Sequence, residues 1–355
     1  MKNTYNQTFE LYTTYLIANT SQITSTGLST ILEGSVRHDA ITRFLSKAIK
    51  TSKDLWLQTK RQVEGSNSGV LIIDDTIEAK PYSKESSTIN YWYDHTVGRC
   101  VKGLNILSCH YDTEKSSSPI GFTILEKEQV VLREEGETDK IPAMNKQEQY
   151  RKLLKTAVNN SVSFSYVLND KWFASVENMN YIIKDLKKDF VMPLKENRLI
   201  ALTKDSKDKG LFVKMKEETL GETTVVYLKD LDFPVLLIKQ RFKDGADKTV
   251  VIYLVTSDLT LTKSQIIALY QRRWKVEESF KSMKSNLNLS KSPCHSRNAM
   301  HNHIYCVFYA CAELSFIARK NNTNTFALKK KIYLNAMKVA MENVQQLRTE
   351  FFNAA

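Results

Sequence analysis

The chain has 355 residues, 42% hydrophobic and 25% charged. That is enough apolar material for a sizeable core, and it excludes a globally disordered chain. Lys and Arg outnumber Asp and Glu by 51 to 39, a formal charge of +12, so charge suggests a polyanionic partner, either nucleic acid or anionic lipid. No apolar run reaches the roughly 18 residues a membrane helix needs, and the first twenty residues lack the apolar core and cleavage site of a secretion signal. The five cysteines, Cys100, Cys109, Cys294, Cys306 and Cys311, form no close pairs. That pattern suits free thiols in a reducing compartment, and the expected location is the cytoplasm.

Residues 1–64 read as a helical N-terminal segment. Apolar positions recur at helical spacing in TFELYTTYLI and again in HDAITRFLSKAIKTSKDLWLQTK, where Asp39 is a candidate cap. The breaker cluster EGSNSG closes the segment. Val70–Asp75 (VLIIDD) is a short, continuously apolar run, the pattern of a strand buried on both faces. Strand-like runs near Val101–Tyr111 and Ile120–Glu126 flank the Ser-rich turn KSSSP and read as a hairpin. Lys146–Asn160 has helical spacing, Ser163–Leu168 is a strand, Val176–Lys188 a helix and Phe190–Pro193 a short strand.

From Arg198 to Ser257 the pattern becomes five β-branched or aromatic runs with lysines in the turns, among them Lys207, Lys209, Lys214 and Lys216. Ser264–Leu287 is strongly helical, with Thr262 or Ser264 as N-cap. Asn298–Lys320 and the tail from Thr325 to Ala355 are helical as well. The reading is an α/β protein: a helical segment over 1–64, the first part of an α/β domain over 65–197, an inserted all-β subdomain over 198–257, and helices over 258–355 that complete the domain.

Two acids end buried strands. Asp75 closes LIIDD and Asp170 closes YVLND. Strand ends are where ligands collect in a covered sheet, although either Asp alone serves equally well as a turn cap. A third element is more informative. On a continuous helix of about 100° per residue, Tyr270, Arg273, Glu277 and Lys284 fall within an arc of about 60°, whereas Glu278 lies off that stripe. One face then carries a ring, a guanidinium, a carboxylate and an ammonium. A metal-bound phosphodiester needs such groups: an acid for the cation, cations for flanking phosphates and a ring for a base. A solvated face laced with i,i+4 ion pairs is the alternative.

Y-x2-R-x3-E-x6-K resembles the signature helix of the insertion sequence four family of bacterial DDE transposases, and Tyr270, Arg273, Glu277 and Lys284 match it without a gap. The family's first acidic strand ends in Asp-Thr, here Asp75-Thr76; its second ends in an Asp followed by a helix, here Asp170. Trp92–Leu107 resembles the segment that follows the first Asp in many members, and a β-rich insertion lies between the second Asp and the Glu. The similarity spans roughly residues 65–320. It implies an RNase H-like mixed sheet flanked by helices. It also implies that Asp75, Asp170 and Glu277 hold Mg²⁺, for which Mn²⁺ can substitute, with Asp75 bridging two ions. The implied activity is metal-dependent cleavage of DNA ends and strand transfer in cut-and-paste transposition.

The implied partners are double-stranded DNA, as element ends and target, and a second copy of the chain in the synaptic complex. Tyr270, Arg273, Lys284, Lys214 and Lys216 are the expected DNA contacts. The loop at the start of the helix near Asn298 adds Arg297. Residues 1–64 match nothing assignable and are left for DNA binding or dimerisation. The competing readings are a DNA-binding protein that kept the fold without activity and a stand-alone nuclease that cuts without joining.

Overall fold

A computed structural model of the chain describes residues 2–63, 68–132, 138–215, 221–243 and 249–353. It divides into two compact units. One comprises Met1–Lys50, Gln58–Val63 and Ser279–Ala355; the other comprises Thr51–Leu57 and Glu64–Glu278.

The first unit is helical. It opens with α1 (Lys2–Ala18), α2 (Ser25–Ile31) and α3 (His38–Leu45). Asp39 lies in the first turn of α3, but the N-cap is Arg37, and Asp39 pairs with Arg43 one turn on at 2.8 Å. Of the short α4 (Ser52–Thr59), residues up to Leu57 are assigned to the second unit and the last two to the first. Tyr12 of α1 is fully buried, and its hydroxyl meets His303 Nδ1 at 2.9 Å. Asn302 donates to the carbonyls of Leu45 and Lys47 at 2.8 and 3.1 Å, closing the C-terminus of α3. The unit therefore buries its polar groups in pairs, as an interior requires.

The second unit is built on one mixed sheet. Its strands before the second acid are β1 (Val70–Ala79), β2 (Asn90–Asp94), β3 (Arg99–Asp112), β4 (Ser117–Ile124) and the separate hairpin of β5 (Glu128–Leu132) and β6 (Thr138–Pro142). After α5 (Lys146–Asn159) come β7 (Tyr166–Asn169), α6 (Val176–Asn180), which runs on as a π turn to Asp185, and β8 (Asp189–Leu194). The central order is β4-β3-β1-β7-β8. Here β1 runs antiparallel to β3 and parallel to β7, and β7 runs parallel to β8. Three antiparallel strands followed by two parallel ones, with helices on the sheet, is the RNase H-like arrangement expected above.

The apolar run of β1 explains its place: Val70, Leu71, Ile72 and Ile73 are all fully buried, so neither face of this strand meets water. At Gly103 the strands come so close that a Cβ would lie 2.1 Å from the Glu78 carbonyl oxygen.

The insertion consists of β9 (Leu199–Ala201), α7 (Lys204–Asp208), β10 (Val213–Lys214), β11 (Thr223–Leu228), β12 (Val235–Lys243) and β13 (Thr249–Thr256). Its strands join the same sheet, because β13 pairs antiparallel with β8 through Thr256↔Val191 to Tyr253↔Leu194. The insertion also holds one short helix in addition to its strands.

The helical stretch expected over Ser264–Leu287 is two helices, α8 (Lys263–Gln271) and α9 (Trp274–Ser285). Thr262 caps α8 in a capping box with Gln265. At the join, the amides of Arg272, Arg273, Lys275 and Val276 all bond to the carbonyl three residues back, which tightens the turn. The chain ends with α10 (Arg297–Lys320) and α11 (Thr325–Asn353), both in the helical unit.

Candidate active site

The acids collect at the end of the apolar part of β1. Successive side chains of a strand point to opposite faces, so Asp74 and Asp75 have different neighbours. Asp75 pairs with Lys146, the first residue of α5, at 2.5 Å. Asp74 pairs with Arg273 at 3.3 Å, and the same guanidinium holds Glu277 at 2.7 Å. Asp170 follows the last residue of β7, and its carboxylate accepts the Trp172 amide at 2.9 Å.

Electrostatics tie these groups together. Burial, with the Asp170 and Asp75 carboxylates nearby, pushes the Asp74 carboxyl up to about 7. Asp170 is raised by burial and by Asp75, against the pull of the Trp172 amide, Lys146 and Arg273. Tyr270 packs its ring 5.6 Å from the Arg273 guanidinium, and burial raises its hydroxyl. Asp74, Asp170, Tyr270, Arg273 and Glu277 are therefore neighbours, whereas Asp75 stands beside Asp74, Asp170 and Lys146. The break between α8 and α9 does not scatter them: Arg273 stands in the turn itself and reaches Tyr270 on one side and Glu277 on the other.

The break is fixed by Arg272. This residue donates to Asp112 Oδ2 at 2.6 Å, to the Asp112 carbonyl at 2.6 Å and to the Ser68 carbonyl at 3.1 Å. A guanidinium spread over three acceptors holds the turn against the ends of β1 and β3.

The other expected residues lie elsewhere. Lys284 is two turns beyond Glu277 on α9, in the part that belongs to the helical unit. Arg297 is the exposed first residue of α10 in that same unit. Lys214 is exposed in β10, and Lys216 falls outside the described residues. Lys207 bonds to the Leu231 carbonyl and Lys209 to Asp205 at 2.8 Å, so both already have partners within the insertion.

Two groups at the site were missed in the sequence, Asp74 and Lys146. Asp74 was hidden because VLII is buried on both faces, so no alternation marks which of the two aspartates faces which way. Lys146 did carry a signal. Asn145 and Glu148 form a capping box that makes it the first residue of a helix, where a cation opposes the helix dipole. A lysine in that place needs a carboxylate, and it has Asp75. The first turns of α5 also hold the segment after Asp170: Gln147 donates to the Trp172 carbonyl at 3.1 Å, and Arg151 to Asn178 of α6 at 2.9 Å.

All the ligating atoms here are hard oxygens, the donor set that suits a magnesium-type cation. Among the described residues, no three Asp, Glu, His or Cys side chains stand as a ready metal cage. Their charge is met by Lys146 and Arg273 instead. Burial, with the Asp170 and Asp75 carboxylates nearby, pushes Asp74 towards its neutral form, and a cation held among these oxygens would favour the charged form instead. The donor chemistry therefore fits a divalent ion.

Residues 1–207 match the family of DDE superfamily endonucleases, and residues 142–312 match the transposase DDE domain. The two matches overlap across α5 and the second acid and together include every acid described above. The chain belongs to the DDE superfamily endonucleases. It is a nuclease-type enzyme of transposase class, it acts on DNA, and enzymes of this class use divalent metal ions. No curated protein matches the chain. Among the described residues no helix is long and apolar enough to cross a membrane.

Proposed function

We propose that the chain is a transposase of the insertion sequence four type, one that cuts DNA at the ends of a mobile element and joins the freed 3′ ends to a target. The observation that carries this reading is the shared guanidinium of Arg273, which brings Asp74 of the central strand and Glu277 of the signature helix to one point beside Asp170.

Asp170, Glu277 and the β1 pair Asp74–Asp75 would hold the divalent ions, Mg²⁺ or Mn²⁺. Within that pair, Asp74 is the carboxylate on the Glu277 side, and Asp75 is the one answered by Lys146. When bound, such ions activate a water or 3′-OH nucleophile and stabilise the leaving oxygen. The protein's own part is positioning. Arg273, with its Nε buried and without an acceptor, is available to a phosphate oxygen once the ions satisfy the acids. Tyr270 backs the guanidinium and keeps it from turning away. Lys284, Arg297, Lys214 and Lys216 are proposed contacts to the DNA backbone, which position the duplex without reading its sequence.

A synaptic pair of chains is part of this reading. The exposed face of α11 carries Tyr333, Met337, Val344, Leu347 and Phe351 at alternating heptad-like spacing, a pattern that suits pairing with another helix. The roles left for residues 1–64 are DNA binding or support of that pairing.

The test is Mg²⁺-dependent cleavage and joining on labelled duplexes that carry the ends of the DNA segment encoding the chain. Asp170→Asn and Glu277→Gln should abolish both steps while gel-shift binding persists. Cleavage at the normal rate by Glu277→Gln would overturn the site. Cleavage without joining of a pre-cut end would make the protein a nuclease only.

A further inference from the structure

Two neighbouring arginines hold one strand at two places. Arg272 grips the start of β1 through the Ser68 carbonyl and through Asp112, the residue that faces Val70 across the sheet. Arg273 reaches Asp74, four residues further along the same strand, a span of about 13 Å at the rise of an extended chain. A turn tied at one point can still swivel about it, whereas a turn tied at two cannot.

The two ties are unlike. Asp112 is 4% exposed and ends β3, paired on one side with Val70 and on the other with Ser117. Its carboxylate and its carbonyl each accept from one Arg272 nitrogen at 2.6 Å. The Arg273–Asp74 contact is longer, 3.3 Å, and lies among the acids. In the reaction proposed above Arg273 turns to a phosphate oxygen, so its tie is the one given up. The partners of Arg272 stand at the other end of the span and need not move.

We infer that Arg272 and Asp112 are positioning residues for the reaction. Once Arg273 has left Asp74, the Arg272–Asp112 fork keeps the turn in place on β1, and with it the Glu277 carboxylate five residues on. The inference rests on the acids being the catalytic site, and it adds a pair that touches neither metal nor DNA.

Leverage makes the fork matter. A carboxylate stands roughly 5–6 Å from the axis of its helix, so a swivel of about 20° moves it by about 2 Å. A misplacement of about 1 Å already costs on the order of a hundredfold in rate. The helices have other supports: Ile266 of α8 and Val276 just after the turn are fully buried, and Thr262 caps α8. Loss of the fork therefore disturbs aim more than stability, as long as neither charge is left buried alone.

The experiment uses the full chain and the double variant Arg272→Met with Asp112→Asn, which removes both charges together. Urea unfolding, duplex gel-shift and single-turnover cleavage are measured for each protein. A fourth readout does not depend on cleavage: the fluorine NMR signal of Trp274 in protein labelled with fluorotryptophan, assigned by Trp274→Phe. Trp274 is the first residue of α9, 57% exposed, with its ring 5.5 Å from the Arg273 guanidinium. The double variant should keep a urea midpoint close to that of wild type. Its duplex affinity should stay within about twofold, since backbone contacts are untouched. Its cleavage should fall about a hundredfold, and its Trp274 signal should shift or broaden. Arg272→Lys, which keeps the charge but not the fork, should lose about tenfold in cleavage, and it carries the test if the double variant does not fold.

Cleavage by the double variant at the wild-type rate would overturn the inference, and so would an unmoved Trp274 signal. A loss of cleavage that only follows the unfolded fraction, or the loss of duplex binding, would overturn it as well, because the pair would then be merely structural. Failure of the catalytic reading shows separately, as a wild type that does not cleave or as cleavage that survives Glu277→Gln. The Trp274 signal then still decides whether the fork holds the turn.

Discussion

Two carboxylates one residue apart on β1 live in different surroundings, and the contrast is instructive. On one side Asp74 and Arg273 are 15% and 12% exposed and share the guanidinium with Glu277. On the other, Asp75 and Lys146 are 18% and 24% exposed, and the lysine lies near aromatic rings that open to solvent. The first side is a three-membered network, in which buried Asp74 and Arg273 are joined to a Glu277 side chain that is itself 38% exposed. The second is a single ion pair with no third member to hold it. A cation introduced at the site therefore meets a rigid wall at Asp74–Arg273–Glu277 and a yielding one at Asp75–Lys146.

The sharpest way to break this comparison is to neutralise the two aspartates in turn. Asp74→Asn should lower Mg²⁺-dependent cleavage about a thousandfold, comparable to loss of one strong transition-state contact, while Asp75→Asn should cost nearer tenfold. Single-turnover rates on one end substrate measure both. Equal losses would erase the distinction between the walls, and the reverse order would make Asp75 the stronger ligand of the pair.

Next comes Arg273. Arg273→Met should destabilise the protein in urea unfolding, by less than the roughly 3–5 kcal/mol of a fully buried pair, because Asp74 can take up a proton and Glu277 is 38% exposed. Asp74→Asn combined with Arg273→Met should recover part of that loss. A single Arg273 variant as stable as wild type would mean that the wall is not an ion network.

Acidity gives a third probe. The Asp74 carboxyl is raised to about 7 in the folded protein, above its ordinary value of about 4. Between those values the folded state binds the proton more tightly than the unfolded one, so the stability this group contributes is greatest below pH 4 and is lost as pH rises through 7. In metal-free buffer, wild type should thus lose roughly 2–4 kcal/mol over that interval relative to Asp74→Asn. Parallel stability curves for the two proteins would show Asp74 to be charged throughout.

The smaller effects belong to the yielding side and to the insertion. Lys146→Ala should change stability by less than about 1 kcal/mol, since a partly exposed pair contributes little net free energy. Lys214→Ala should lower the salt dependence of duplex binding by about one unit of slope or less, the share of a single phosphate contact.

Much of the fold was legible because burial on both faces leaves an unmistakable apolar run, as in VLII of β1 and YVL before Asp170. The helical stretch around Tyr270, Arg273 and Glu277 was legible from its spacing, although it is divided into α8 and α9. The same two-sided burial that announced β1 erased the alternation that would have told Asp74 from Asp75. The strands β2 and β5–β6 escaped notice because NYWYD and EQVVL are short and carry polar residues, so no long apolar run marks them. The break at Arg272 was invisible for another reason. It depends on Asp112 and Ser68, both more than 150 residues upstream, and no local pattern encodes a partner that distant.

That latch has a consequence for how the sequence can drift. With Arg272 pinned to the base of the sheet, the position of Glu277 is counted from a fixed mark rather than from the start of α8. A single residue gained or lost between Arg272 and Glu277 would swing the carboxylate about 100° around the helix, whereas the same change in the loop before Thr262 would leave it in place. Length variation in this enzyme is thus tolerable upstream of the pin and forbidden downstream of it, much as a key can have a handle of any length but only one spacing of teeth.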